Sequence, residues 1–291
     1  MSTTARQQGP EALRGSETQL RASRGQRLIL LCTLCYIGVL VLSSVAAPLL
    51  APHDPTEQRL DQRFLPPGSP EHVLGTDDFG RDVLSRIIYG SRSALLVGLI
   101  SVSIALSMGV LICLSAGLGG LFADNGLMLL MDSVLSFPTI LLAITVVTVF
   151  GYGLVQVMLA IGVIFTPVFA RIVRAETLAI REESYVQAST ALGSPLLKTV
   201  GLHILPNILP RLIVQSSITF ALAIVIEASL SFLGLGTQPP EASWGLMLKN
   251  ARNYLFNAPW LALYPGLAIG LTVLSFNLLG DALSATLRGR R

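Results

Sequence analysis

The chain has 291 residues, of which 52% are hydrophobic and only 13% charged, with a formal net charge of +3. That charged share is about half the roughly 25% of a soluble domain, and the mean hydropathy is +0.67. These figures exclude a soluble enzyme, a disordered chain and a nucleic-acid binder; the three cysteines and the lack of a glycine period exclude a disulfide scaffold and collagen. The class that remains is an all-α polytopic membrane protein.

Residues 1–27 carry Arg6, Arg14, Arg21, Arg24 and Arg27 and read as a mobile tail. The apolar run over 28–50 exceeds the roughly 7–15 residues of a signal-peptide core, so it is expected to stay as a first span. Cys32 and Cys35 lie in it with no acid or histidine nearby, which favours plain packing over redox or metal work.

Residues 51–93 form a loop rich in proline (Pro52, Pro55, Pro66, Pro67, Pro70). Asp77 is a reasonable N-cap there. Val83, Leu84, Ile87 and Ile88 follow at helical spacing, with Arg81, Asp82, Ser85 and Arg86 on the other side. The pattern predicts an amphipathic helix lying at the membrane interface, either as a solvated elbow or as a contact surface for an external partner.

Residues 94–287 hold five further spans, each near the ~20 apolar residues that a bilayer requires. They are expected at Ala94–Phe122, Leu127–Phe150, Leu154 to about Arg171, Leu212–Leu235 and Leu261–Ala282. Gly151-Tyr152-Gly153 makes a tight turn between the third and fourth, and Trp260 and Tyr264 suit an interface. Residues 288–291 are a basic tail. Six spans put both termini on one side. That side, with the loop at about 171–211, holds thirteen basic residues against seven on the other. The positive-inside rule therefore makes both termini cytoplasmic and the 51–93 loop external.

The 171–211 loop carries the clearest local pattern. Tyr185, Ala188, Leu192 and Leu196 share one helical face, and the small residues Ala188, Ser189 and Ala191 let another surface approach closely. Gly193 suits the left-handed position that closes a helix, Ser194 and Pro195 can start the next, and Leu205-Pro206 is expected to end it. Two short helices with a sharp corner are predicted.

Chemistry is sparse. The string Gly193 to Thr199 lacks the glycine before its lysine that a phosphate loop needs, and His53, His72 and His203 fit no His-Glu-x-x-His site. Of the few ionisable groups near spans, Glu227 is expected either to line a pathway or to make a structural hydrogen bond to a neighbouring subunit, and Asn277 shares that expectation. Gly266 and Gly270 form a Gly-x3-Gly pair of the kind that packs helices closely.

Gln187-Ala188-Ser189, Gly193 and His203-Ile204-Leu205-Pro206 keep the spacing of Glu-Ala-Ala-x3-Gly-x9-Ile-x-Leu-Pro, the cytoplasmic signature of ABC importer permeases. The chain resembles that family. Gln187 replaces its Glu and so removes a charge, Ser189 replaces an Ala, and His203 replaces an Ile. Gly75-Thr76-Asp77, Gly80 to Arg86, Glu227 to Gly236, Trp244-Gly245 and Phe276 to Asp281 are similar to the C-type permease subunit of oligopeptide and dipeptide importers, over roughly residues 28–287. The resemblance implies the type I ABC importer permease fold, with Tyr185, Gln187, Ala188, Ser189, Ala191, Leu192, Gly193, Leu205 and Pro206 at the ATPase coupling surface. It implies a B-type permease partner, cytoplasmic ABC ATPases that hold ATP and Mg, an extracytoplasmic peptide-binding protein and a peptide cargo. It implies a bacterial cytoplasmic membrane, and no catalytic residue, cofactor or metal on this chain. A nickel or other small-solute permease, and more distantly an ion-coupled secondary transporter, are the alternatives.

Overall fold

A computed structural model describes the backbone of residues 10–288, and the side chains except those of 10–27, 114–123, 190, 196–197 and 286–288. Helix α1 is Pro10–Val45, with its apolar part at Leu28–Val45. Of the expected tail, residues 1–9 lie outside the described residues, and the backbone is already helical from Pro10. A short α2 (Ala47–Leu50) leads into the proline-rich segment, which folds as a small domain over residues 51–82.

Helix α3 (Val83–Leu135) starts directly from that domain. It packs along α5 (Leu154–Arg181). Ser101 Oγ donates to the Met158 carbonyl at 3.0 Å, and farther on Thr166 Oγ1 contacts Met108 Sδ at 3.8 Å. Nearer the end of α3, Asp124 meets Arg174 and Asp132 meets Arg171. The third span is broken. Asp124–Leu135 and Thr139–Phe150 (α4) meet at 96°, where Pro138 denies the chain a helical hydrogen bond. The Gly151–Gly153 turn, with φ of 102° and 144° at its glycines, joins α4 to α5 as expected.

Helix α6 (Ser184–Ala191) and α7 (Leu196–Thr199) form the corner. A π-helical stretch, Val200–Ile204, carries α7 into α8 (Leu205–Phe232) without a break. Leu205-Pro206 therefore does not end a helix. Pro206 lies at the start of α8, where the π-helical stretch gives way to α-helix. Helices α9 (Trp244–Ala251) and α10 (Trp260–Arg288) complete the chain.

Two apolar cores result. One joins α3, α4, α5 and α8 around Val97, Ile161, Phe169 and Leu212; the other joins α1, α3, α9 and α10 around Leu40, Val83, Trp244 and Leu261. Among the described residues five helices are long and apolar enough to span a membrane, and six if the bent pair counts as one span. The two ends of the bundle are named below for what they carry: the domain end (51–82) and the loop end (182–204).

Candidate functional site

At the loop end the sequence builds a protruding corner. Among its described residues helix α6 buries only Val186 and leaves Tyr185, Gln187, Ala188 and Ala191 exposed, and Leu192 just after it is exposed at 88%. Gly193 has φ +80°, and the Ser194 amide donates to the Ser189 carbonyl at 3.2 Å, which is the six-to-one bond of a Schellman end. Ser189 Oγ donates to Ser194 Oγ at 3.0 Å and ties both sides of the corner. No atom lies within 4 Å of a Cβ built on Gly193, so the glycine serves backbone conformation, not close approach.

The corner is held to α8 by a residue that the pattern did not single out. Asn207 Nδ2 donates to Tyr185 Oη at 3.2 Å and to the His203 carbonyl at 2.6 Å, while the rings of Tyr185 and His203 meet edge-on at 5.7 Å. Asn207 directly follows Pro206; an amide one residue past a helix-starting proline was the available signal. Gln187, where the family carries Glu, donates only to the Glu182 carbonyl. Leu205 and Pro206 are exposed, and the side chain of Leu196 lies outside the described residues.

Behind the corner, α5, α8 and α10 enclose a cleft of about 720 Å³ lined by Arg171, Glu176, Asn207, Arg211 and Gln215 among others. One ion pair joins its walls and two others tie α5 to α3. Arg174 grips Asp124 with three hydrogen bonds of 2.6–3.1 Å, Arg171 meets Asp132 at 3.2 Å, and Arg211 pairs with Glu176.

The domain end is a polar knot. Asp82, not Asp77, is the N-cap of α3: its Oδ2 accepts from the Ser85 amide at 2.7 Å. Asp77 instead accepts from the Phe79 and Arg81 amides and from Arg81 Nε at 2.7 Å. Arg86 is 1% exposed and donates to the Pro55 carbonyl at 2.8 Å and to the carbonyls of Pro240 and Glu241. The residues expected on a solvated face of an interfacial helix are thus the buried joint between the domain, α3 and the loop before α9. The periodicity was real, but the polar side found carbonyls instead of water. Asp78 is half-buried beside the Asp77 carboxylate; burial first, then that charge, pushes its carboxyl above the usual range.

Glu227 is 2% exposed. Ser231 Oγ donates to its Oε1 at 2.7 Å, and the hydroxyls of Ser243 and Thr237 lie beside the same carboxyl. The carboxyl is enclosed within this subunit. It joins the end of α8 to the loop before α9. Asn277 stays exposed on α10, its amide donating to the Val273 carbonyl. Gly266 and Gly270 have no neighbour within 4 Å of a built Cβ, so their pairing serves no packing within the described chain.

The family model described as "Binding-protein-dependent transport system inner membrane component" matches residues 84–291, and "N-terminal TM domain of oligopeptide transport permease C" matches residues 31–67. The chain is 42% identical over 255 residues to a di/tripeptide transport system permease protein of Pseudomonas aeruginosa, covering 86% of this chain and 84% of that protein. It is 42% identical over 248 residues to a probable D,D-dipeptide transport system permease protein of Escherichia coli (85% and 83% covered). A glutathione transport system permease protein of Pectobacterium atrosepticum also matches at 42% (84% and 82% covered). Among solved structures, an inward-facing MetNI methionine ABC transporter chain superposes with a TM-score of 0.55 at 20% identity, over 67% of this chain and 93% of that one. At that identity the likeness carries the fold alone, and the fold is that of an ABC importer permease. The apolar helix bundle, the two family matches and the relatives converge: the chain belongs to the family of binding-protein-dependent transport system inner membrane components, as a multi-pass permease subunit.

Proposed function

We propose that this subunit forms half of the translocation pathway of an ATP-driven importer of short peptides, and that its α6 corner is the surface through which ATPase motion enters. The peptide cargo rests on the names of relatives that share 42% of their residues with the chain over more than four fifths of its length. The coupling role rests on one observation: an exposed small-residue corner sits on a limb that is helically continuous with a span. A push on the corner passes from α7 through the π-helical stretch into α8 as axial movement, because no loop intervenes between α7 and that span. π-Helical turns are often found at functional sites and give the helix a place to change register. The far end of α8 is fixed by Glu227 and Ser231, so movement at the corner becomes tilt.

In this reading both termini and the corner are cytoplasmic, ATP and Mg are held by separate ATPase subunits, a B-type permease completes the path, and an extracytoplasmic binding protein delivers the peptide. Ala188→Asp tests it. The substitution puts an unpaired charge at the centre of the contact, where loss of a well-packed residue typically costs about 2 kcal/mol or more. At equal membrane expression, the ATPase should no longer co-purify with the variant permease, or should co-purify without substrate-stimulated hydrolysis, and labelled peptide uptake should fall with it. Full uptake with an intact complex would remove the corner from the mechanism.

A further inference from the structure

We propose that His53, His72 and Asp82 form a zinc site that staples the small domain to the start of α3. Three separate pieces of chain deliver the ligands: the segment just after α2, the Ser69–His72 turn and the N-cap of α3. His72 Nδ1 lies 2.9 Å from Asp82 Oδ1, His53 Nδ1 lies 3.9 Å from the same oxygen, and the three ligand atoms fall within 4.8 Å of one another. Tetrahedral Zn²⁺ with bonds of about 2.0–2.1 Å requires ligand separations of about 3.3 Å, between the observed spacings. Among the described residues this is the one cluster of three metal-ligating side chains.

The hydrogen bonding points to a cation. His72 Nε2 lies 3.1 Å from Gln62 Oε1, an acceptor. With its proton there, the Nδ1 lone pair of His72 faces a carboxylate oxygen, and a positive species belongs between them. A proton would satisfy that pair alone. It would leave His53 Nδ1, which is buried without a hydrogen bond, still without one. Zn²⁺ satisfies all three atoms at once, and buried polar atoms without partners are rare.

The supporting contacts already orient the ligands, as the outer shell of a metal site does. Gln62 holds the His72 ring, the Ser85 amide holds Asp82 Oδ2, and the His53 amide donates to Ser85 Oγ at 3.1 Å. The Arg81 and Arg86 guanidinium groups are turned towards Asp77. The His53 side chain is 21% exposed, which leaves an open flank for ion entry and a water as fourth ligand. Two imidazoles and one carboxylate suit Zn²⁺ and its borderline neighbours over Mg²⁺ or Ca²⁺, which prefer all-oxygen sites.

The test uses the full chain in detergent, purified on a histidine-free tag, stripped of metal, with Cys32, Cys35 and Cys113 changed to Ser so that no thiolate competes. Co²⁺ serves as the visible probe and Zn²⁺ as its competitor. One equivalent of Co²⁺ should give a tetrahedral absorption band that Zn²⁺ abolishes, and Zn²⁺ but not Mg²⁺ should raise the melting temperature. His53→Gln keeps the His72–Asp82 contact, so it should melt with the parent in chelator. It should bind Zn²⁺ at least about tenfold more weakly, the lower end of what loss of even an outer-shell partner costs. Absence of one-to-one binding, equal affinity in both proteins, or an equal response to Mg²⁺ would overturn the site.

Discussion

Glu227 has its partners within one turn of helix and one loop, so its contribution is hydrogen bonding. Glu227→Gln keeps an oxygen to accept from Ser231 Oγ. It should fold and transport near the parent level. Glu227→Leu leaves that buried hydroxyl and its neighbours at Ser243 and Thr237 facing a methyl group, a loss of about 1–3 kcal/mol. Thermal unfolding of both purified variants, with peptide uptake alongside, checks this; a Gln variant as unstable as the Leu variant would show that charge is essential. The same residue marks how far single positions could be read. That a carboxylate within an apolar run must have partners follows from desolvation alone. Which partners it has depends on the Gly234 to Thr237 turn that folds the chain back over α8, and no periodicity encodes that path. Arg86 shows the reverse case: its position opposite Val83 and Ile87 was legible, but its burial required the distant carbonyls of Pro240 and Glu241.

At the scale of elements, apolar length and turn chemistry were enough for the first, fourth, fifth and sixth spans and for the Gly151–Gly153 turn, but not for α3, which runs unbroken through the expected break between Phe122 and Leu127. Two breaks were misread for identifiable reasons. Pro138, inside a run of ordinary span length, bends the third span; Pro206, taken as a stop, lies within continuous helix because the π-helical stretch leads straight into α8. Contacts between elements were less legible, since they depend on what is missing. A Cβ on Gly245 would lie 2.6 Å from the Ala228 carbonyl oxygen and 2.7 Å from Ala228 Cα, so α9 touches α8 backbone to backbone. Gly245→Ala should push α9 away and destabilise the domain end by about 1–3 kcal/mol, the usual cost of overpacking. Gly266→Ala, with no neighbour within 4 Å among the described residues, should melt with the parent. Equal melting of the two variants in a thermal scan of the purified subunit would contradict the close α8–α9 contact.

For the whole molecule, the testable quantity is sidedness. Glu71, whose side chain is 64% exposed, sits at the domain end, and Leu192 at the loop end is 88% exposed. After the native cysteines are replaced, Glu71→Cys should react with an impermeant thiol reagent on intact cells, and Leu192→Cys only after permeabilisation. Labelling of both from outside would refute the proposed orientation. The basic-residue count gives a direction for the bundle because charge is resisted on one side of a membrane; it says nothing about how the subunit is stiffened at each end.

That stiffness differs in kind. The pair Arg81–Asp77 is 4% and 11% exposed, whereas Arg171–Asp132 is 58% and 50% exposed and Arg174–Asp124 is 36% and 21% exposed. Mobile ions screen open pairs over a Debye length of about 8 Å at physiological ionic strength and hardly reach enclosed ones. Electrolyte should therefore act as a selective lubricant. Raising salt should speed amide hydrogen exchange in Asp124–Leu135 while exchange in residues 76–82, around the enclosed Arg81–Asp77 pair, stays constant, and equal acceleration in both segments would refute it. A transporter half built this way responds to ionic composition at its open pairs and ignores it at the buried Arg81–Asp77 knot.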